Sequence, residues 1–347
     1  MTTILNIIIA LLIFGFLILI HEFGHYTMAR VFKVGINEFS VGMGPKVFSK
    51  KSKKTGIAYS LRLLPIGGFV SMDGEEEDSG SENSLTSKPI WQRFLIMVAG
   101  AVMNILVGII LTCVIVGRSE ALGSTVVASF TENAASQTAG LAEGDRVIKI
   151  GKTGVHTSYD LSYTIMHSAT EKTDITVIRD GKTVVIRDVE FKTETDSGVT
   201  IAMRDFRVKA EKKSFGNVVK HSFWQSLTSV RMIWDSLIDL ITGKYGMDAL
   251  SGPIGITGEI GNAVAAKDGG MNLMYLTALI ALNLGIFNLL PFPALDGGQI
   301  VLLLVELIIR KPVKREIAGY INFIGLAILM LLMLFVSYQD ITKLIRK

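Results

Sequence analysis

His21-Glu22-Phe23-Gly24-His25 follows directly on the apolar run from Ile4 to Ile20. On a helix, side chains four residues apart project from one face, so His21 and His25 share a face. Two imidazoles so placed can bind zinc, and the glutamate beside the first can take a proton from an attacking water. In a soluble protein such a helix lines an aqueous cleft. Here the motif belongs to a hydrophobic segment, where ionisable groups are costly and mark a functional site by default. The placement points to peptide-bond hydrolysis at membrane depth.

Two imidazoles do not complete a catalytic zinc site, which usually has three protein ligands and an open position. His156, His167 and His221 fall in or near a region that the loop charges place across the membrane from this motif, and they read as ordinary polar residues. Asp296, in Asn288-Leu289-Leu290-Pro291-Phe292-Pro293-Ala294-Leu295-Asp296-Gly297-Gly298, is the better third ligand. It lies at a helix break in apolar surroundings, and a carboxylate at membrane depth wants a cation. The alternative is an N-cap for a half-helix over 297–309, which Asp before Gly suits.

The elements that carry these residues follow from composition and periodicity. The chain has 347 residues, 49% of them hydrophobic, and a net charge of +4; its mean hydropathy is +0.45. That is the composition of an integral membrane protein. Basic residues beside membrane spans explain the charge without invoking nucleic acid. Cys113 is the single cysteine, so no intrachain disulfide can form. Met-Thr-Thr offers no basic n-region and no cleavage site ahead of the metal motif, which speaks against a cleaved signal peptide.

Four stretches, roughly 3–26, 92–116, 272–290 and 319–338, approach the length of about 20 apolar residues that a span needs. Pro291 and Pro293 end the third, and Ile300 to Ile309 reads as a short half-helix behind them. Arg30, Lys33, Lys46, Lys50, Lys51, Lys53, Lys54, Arg62 and Lys88 lie between the first two spans, and Arg310, Lys311, Lys314 and Arg315 between the last two. The positive-inside rule puts both loops in the cytoplasm, with the N-terminus and 117–271 outside. The tail residues Lys343, Arg346 and Lys347 weigh the other way and are outnumbered.

Residues 55–72 alternate in character and predict a hairpin that is cytoplasmic or dips towards the site, broken at Pro65-Ile66-Gly67-Gly68. Asp73 to Lys88, acidic and rich in Ser and Gly, predicts a mobile loop. Over 120–205 charged and small residues return, and a soluble domain of about 85 residues is expected. Its strands are Ser124–Phe130, Arg146–Ile150, Ile175–Arg179 and Thr183–Arg187, the last two joined by the hairpin signal Asp180-Gly181. Its helices are Ala134–Leu141 and Tyr159–His167. Phe215, Val219, Phe223, Leu227, Val230, Trp234, Leu237 and Ile241 recur at helical spacing, giving an amphipathic helix or helix pair suited to a membrane interface or to packing against the spans. Gly252-Pro253-Ile254-Gly255 should break the chain before the third span.

Ala139-Gly140-Leu141-Ala142-Glu143-Gly144-Asp145-Arg146-Val147-Ile148 resembles the bacterial, circularly permuted PDZ domain. With the metal motif in a first span and the Asn-x-x-Pro-x-Pro-x-Leu-Asp-Gly segment in a later one, the whole chain resembles the site-2 protease family of intramembrane zinc metalloproteases. In particular it is similar to the bacterial branch that carries a PDZ insertion and cleaves anti-sigma factors. Gly42-Met43-Gly44-Pro45, Pro65-Ile66-Gly67-Gly68-Phe69-Val70 and Gly252-Pro253-Ile254-Gly255 carry the same likeness, and there is room for one PDZ domain.

The resemblance implies a polytopic α-helical membrane protein of about four transmembrane helices, with a membrane-associated β-hairpin and an inserted PDZ domain. It implies a first membrane half over 1–116, the PDZ domain over 117–208, interface helices over 209–271 and a second membrane half over 272–347. It implies a bacterial inner-membrane location, with Zn2+ held by His21, His25 and Asp296 and with Glu22 as base. Substrates would be single-span membrane proteins, anti-sigma factors or remnant signal peptides, cut after a first extracytoplasmic cleavage. The hairpin, with Tyr59, Leu61 and Leu63, could hold an unwound substrate by strand addition. Asn283 and Asn288 could bond its freed backbone or simply bond between helices, and Asn104 reads as structural. Val127 marks the strand of a PDZ groove for a peptide C-terminus. The domain would act as a size filter or capture a new C-terminus. The reading from another class is a membrane-anchored PDZ adaptor with a non-catalytic metal site, which the intact Glu22 opposes.

Overall fold

The computed structural model describes residues 2–75, 80–196, 199–244, 246 and 250–346. In chain order the elements are α1 (Thr2–Val31), β1 (Ile36–Lys51), β2 (Ala58–Met72), α2 (Ile90–Arg118), β3 (Leu122–Phe130), α3 (Ala135–Thr138), β4 (Arg146–Ile150), β5 (Thr153–Gly154) and α4 (Ser158–Ser168). There follow β6 (Thr173–Arg179), β7 (Lys182–Val189), β8 (Thr193–Asp196), β9 (Val199–Ala202), β10 (Phe206–Glu211), α5 (Phe215–Ile241), α6 (Pro253–Ala265), α7 (Gly269–Asn288), α8 (Asp296–Ile309) and α9 (Arg315–Arg346). The chain divides into two compact units, 1–108 with 250–347, and 109–249. Among the described residues, α1, α2, α7 and α9 contain the four helical stretches long and apolar enough to cross a membrane.

In the first unit α1 is a continuous helix because no Gly-Pro pair or charge interrupts its Ile- and Leu-rich run. At 1.5 Å per residue, His21 lies roughly 28 Å from its start, a length comparable with a hydrocarbon layer about 30 Å thick. A small residue lets α1 and α2 approach: a Cβ on Gly24 would strike the carbonyl of Ala99, with Gly100 Cα only 2.9 Å away. Farther along, α2 meets α7 by the same means, at Gly108 against Leu282 and at Gly285 against Ala101 and Ile105.

The β-element is larger than a simple hairpin over 55–72. The strand β1 was not expected, because Gly42, Gly44 and Pro45 interrupt its pattern. It pairs antiparallel with β2 through repeated register shifts, so that Phe39 faces both Val70 and Tyr59, and Val41 faces both Gly68 and Leu61. Its base closes a core of Val34, Ile36, Ile57, Val70, Met72, Leu85 and Ile96. The expected mobile loop is therefore partly tied down. Leu85 is buried, Leu85 N–H donates to Asp73 O at 2.7 Å, and Gly35 N–H donates to Asn83 O at 2.9 Å. Residues 76–79 of that loop lie outside the described residues.

Gly252-Pro253-Ile254-Gly255 opens a helix instead of only breaking one. Pro253 takes the first position of α6, where its missing N–H costs nothing. The bare amides of Gly252 and Gly255 donate to Asp340 Oδ2 of α9 at 2.9 and 2.8 Å. A buried carboxylate at a helix N-terminus supplies what the absent side-chain cap does not.

In the second unit the main sheet has the order β10-β3-β4-β6-β7, with β5 beside β4. Asp180 and Gly181 have φ of 48° and 74° and join β6 to β7 by the tight turn that Asp-Gly favours. The final strand β10 was not foreseen. It runs to Glu211, beyond the expected boundary at 208, and pairs with β3. This placement corrects the reading of Val127. Its strand is bonded on both sides, to β10 and, through Val127 N–H to Asp145 O at 2.9 Å, to the β4 end. Its side chain is wholly buried with Leu141, Val147, Ile150 and Leu161, so Val127 belongs to the core and offers no groove edge.

The helix α5 turns its polar residues inward and its apolar ones out. His221, Ser222, Ser226, Ser229 and Asp239 are buried, whereas Phe215, Phe223, Leu227, Trp234 and Ile241 are exposed. Tyr163 Oη donates to Asp235 Oδ2 at 2.7 Å, and His167 Nε2 lies 2.8 Å from Asp239 Oδ2, which ties α4 to that polar face.

Asp145 secures the turn ahead of β4. It accepts Arg179 Nε at 2.7 Å and NH2 at 2.6 Å, and the Ala142 amide at 2.8 Å. Burial pushes its carboxyl up, but the guanidinium and the amide outweigh that and hold it below the usual carboxylate range. A depressed folded value stabilises fully above the ordinary pKa of about 3.9 and loses its contribution as pH falls through the depressed one. Asp145→Asn is expected to cost about 1.5 kcal/mol at pH 7, the low end for charged hydrogen bonds because solvent screens the half-exposed Arg179. Hydrogen exchange of the core amides checks this: the gap to wild type should narrow progressively as pH falls below about 4. A gap independent of pH would contradict it.

Candidate metal centre

The first turn of α8 meets the last third of α1. His21 Nε2 is 3.2 Å and His25 Nε2 is 3.5 Å from Asp296 Oδ2, and the two imidazole nitrogens are 3.1 Å apart. One ligand atom from each of the three residues lies within 4.8 Å of the others. Both histidines are buried. His25 Nδ1–H donates to Ile96 O at 2.8 Å, so its Nε2 presents a lone pair to the cluster. His21 Nδ1 faces the amides of Asn104 at 3.4 Å and Asn288 at 3.5 Å.

This arrangement fits a cation. Asp296 Oδ2 is buried and has no hydrogen-bond partner, although two imidazole edges converge on it. Lone pairs brought together in an apolar interior repel unless a positive charge sits among them. Two nitrogens and one carboxylate oxygen are a donor set that zinc accepts. The alternative role for Asp296, an N-cap, is not what its side chain does: Leu295 is the residue before the helix, and no side chain caps it.

Backbone geometry makes room for the cluster. A Cβ on Gly100 would fall 2.7 Å from His21 Cε1 and closer still to His25 Nε2, so α2 forms a bare floor under both rings. Between α7 and α8 the chain folds back on itself. Gly297 packs on the carbonyls of Leu289 and Leu290, where no side chain fits. Ala294 takes φ 73°, a costly conformation for a residue with a Cβ, and its N–H donates to Asn322 Oδ1 of α9 at 3.3 Å.

A cavity of about 710 Å³ runs from His21, Glu22, His25 and Asp296 past Val70 and Met97 to Arg93 and Glu306. Glu22 lines it beside the metal cluster, and the Val70 amide bonds its carboxylate. At the other end Arg93 NH1 pairs with Glu306 Oε2 at 2.6 Å. Glu306 Oε1 also accepts the Val313 amide at 3.1 Å, which fixes α8 to α2 and to the turn ahead of α9.

The expected substrate-binding residues are dispersed. Tyr59 and Leu61 lie in the interior of the β-element, with partners Phe39 and Val41 on one side and Lys50 and Phe48 on the other. Tyr59 is also bonded to Tyr26 through the hydroxyls at 2.8 Å. Leu63 is exposed. These positions therefore do not form the open edge. Among the described residues Gly68 to Met72 has strand partners on one side alone, and a Cβ on Gly68 would lie 3.5 Å from Glu22 Cγ. Asn288 reaches the cluster, whereas Asn283 is exposed on α7. Gly100, Asn104, Arg93 and Glu306 were missed as site residues. The signal for the first two was present: Gly100 and Asn104 stand four apart, on one face of an otherwise apolar helix.

Gly100→Val should push both rings from their seats and weaken zinc binding roughly 10–100-fold, as loss of an orienting contact does. Chelator competition on the purified protein measures this. Unchanged affinity would mean that α2 does not support the rings.

The sequence profile of peptidase family M50 matches residues 9–332. A protein of Clostridium acetobutylicum named as a zinc metalloprotease is 35% identical, with 97% of this chain and 97% of the relative aligned. Another so named, from Clostridium perfringens, is 35% identical over 96% of this chain and 98% of its own. RasP, the regulator of sigma-W protease of Bacillus subtilis, is 30% identical over 98% of this chain and 99% of its own. Similarity of that extent, joined to apolar helices and a His-His-Asp cluster, assigns the family: the chain belongs to peptidase family M50 and is a zinc metalloprotease.

Proposed function

We propose that the chain is an intramembrane protease of the site-2 type, cutting single-span membrane proteins after a first extracytoplasmic cut. The observation that carries this is one cavity, in a unit of apolar helices, holding His21, His25 and Asp296 together with Glu22. His21, His25 and Asp296 would hold the zinc. Bound there, the ion supplies a Lewis acid for the scissile carbonyl and lowers the pKa of water towards 7. Glu22 takes the proton of the attacking water and passes it to the leaving amine. The Val70 amide keeps the Glu22 carboxylate turned into the cavity.

A helical substrate hides its peptide bonds, so it must unwind locally and have its freed groups bonded. Gly68 to Met72 offers an edge beside Glu22 to which an extended segment can add. Asn288, near the cluster, is placed to bond the same segment. The loop charges support a cytoplasmic side for this site and an extracytoplasmic side for 117–271, in a bacterial inner membrane. The name regulator of sigma-W protease, carried by a relative, favours an anti-sigma factor as substrate over a remnant signal peptide. The motif around Gly144-Asp145 supports a PDZ reading of the inserted domain, acting as a size filter. Deleting 120–205 should then admit untrimmed substrates, whereas loss of trimmed ones would favour capture of a C-terminus.

Two variants test the chemistry. Glu22→Gln should keep full zinc and lose cleavage by at least about 10²–10⁴-fold, the worth of general acid–base catalysis. Asp296→Ala should lose zinc and cleavage together. Turnover by Glu22→Gln, or full zinc in Asp296→Ala, would sink the assignment.

A further inference from the structure

We infer that Asn104 is a positioning residue that sets the tautomer and rotation of His21, and thereby the zinc affinity of the centre. The inference rests on the proposed ligand set. Asn104 is fully buried on α2, one helical turn beyond the bare floor at Gly100. Its amide lies 3.4 Å from His21 Nδ1, and its Oδ1 is buried without a hydrogen-bond partner. An orphan carbonyl oxygen in an apolar interior is costly. The two ends of a carboxamide are nearly alike in shape, so a half-turn of the group exchanges them. With Oδ1 towards the ring, it accepts Nδ1–H of His21 and gains the partner it lacks.

That bond has one chemical consequence. A proton held on Nδ1 leaves the lone pair on Nε2, the nitrogen that faces Asp296 at 3.2 Å and His25 at 3.1 Å. The Ile96 carbonyl does the same for His25 at 2.8 Å. One ring is thus set by a backbone acceptor and the other by a side-chain acceptor, both from α2. Asn288 also reaches His21 Nδ1, at 3.5 Å, but it is only partly buried, and its approach is the longer of the two. Neither Asn104 nor Asn288 lines the cavity; what sets Asn104 apart is its complete burial and its unpartnered Oδ1.

The test uses the full-length protein in detergent, with Asn104→Ala, Asn104→Leu and Asn104→Asp. It measures zinc dissociation constants by chelator competition, Co2+ absorption spectra and the melting of the metal-free forms. Asn104→Ala and Asn104→Leu should weaken zinc binding 10–100-fold, the usual loss when an outer partner of a metal-bound histidine is removed. Asn104→Asp, which can accept the same proton, should restore the affinity to within a few-fold and keep the wild-type Co2+ spectrum. Unchanged affinity in the Ala and Leu variants would overturn the inference. So would an Asp variant as weak as Ala, since packing would then matter and the acceptor would not. An Asp296→Ala control separates this from the ligand assignment: if that control keeps its zinc, the ligand reading fails; if it loses zinc while Asn104→Ala does not, the positioning role alone fails.

Discussion

The constraint on which this molecule turns is the meeting of two buried imidazoles and a carboxylate within a unit of apolar helices. Asp296 Oδ2 has no hydrogen-bond partner, and His21 and His25 point bare edges at it. Such a cluster needs a positive charge at its centre, since a carboxylate in an apolar medium is among the costliest groups to bury. A divalent cation turns the repulsion into cohesion, and binding then adds to the stability of the state that presents the ligands. The surrounding structure is arranged to hold the three groups together.

Close approach of backbones does most of that holding. Gly24 lets α1 lie against α2, Gly100 leaves space for the rings, and Gly297 lets the chain double back so that α8 begins beside α1. Hydrogen bonds then set directions: His25 donates to Ile96 O, and both Arg93 and the Val313 amide donate to Glu306. The strained Ala294, tethered to Asn322, lies just ahead of Asp296. Strain at such a point persists only where the neighbouring structure over-determines it.

Much of this is legible in the sequence. The histidine pair, the glutamate and the distant aspartate stand out because each is a costly residue in an apolar run, and the long helices follow from hydropathy alone. In the inserted domain, β4 runs from Arg146 to Ile150 as read, and Asp180-Gly181 makes its turn. What escaped was long-range pairing. The strand β1 is broken by glycines and a proline, and β10 gains its meaning only by pairing with β3, more than seventy residues away. For the same reason Val127 and Tyr59 looked like open edges, although each has strand neighbours on both sides. Gly100 and Asn104 were visible as residues, but their role depends on which helix α2 crosses and at what height.

The most direct test of the central claim is zinc K-edge absorption of the purified full-length protein. Outer-shell scattering from two imidazole rings is expected, with nitrogen and oxygen donors at about 2.0–2.2 Å. Scattering from three rings, or a sulfur donor at about 2.3 Å, would contradict a centre built from His21, His25 and Asp296.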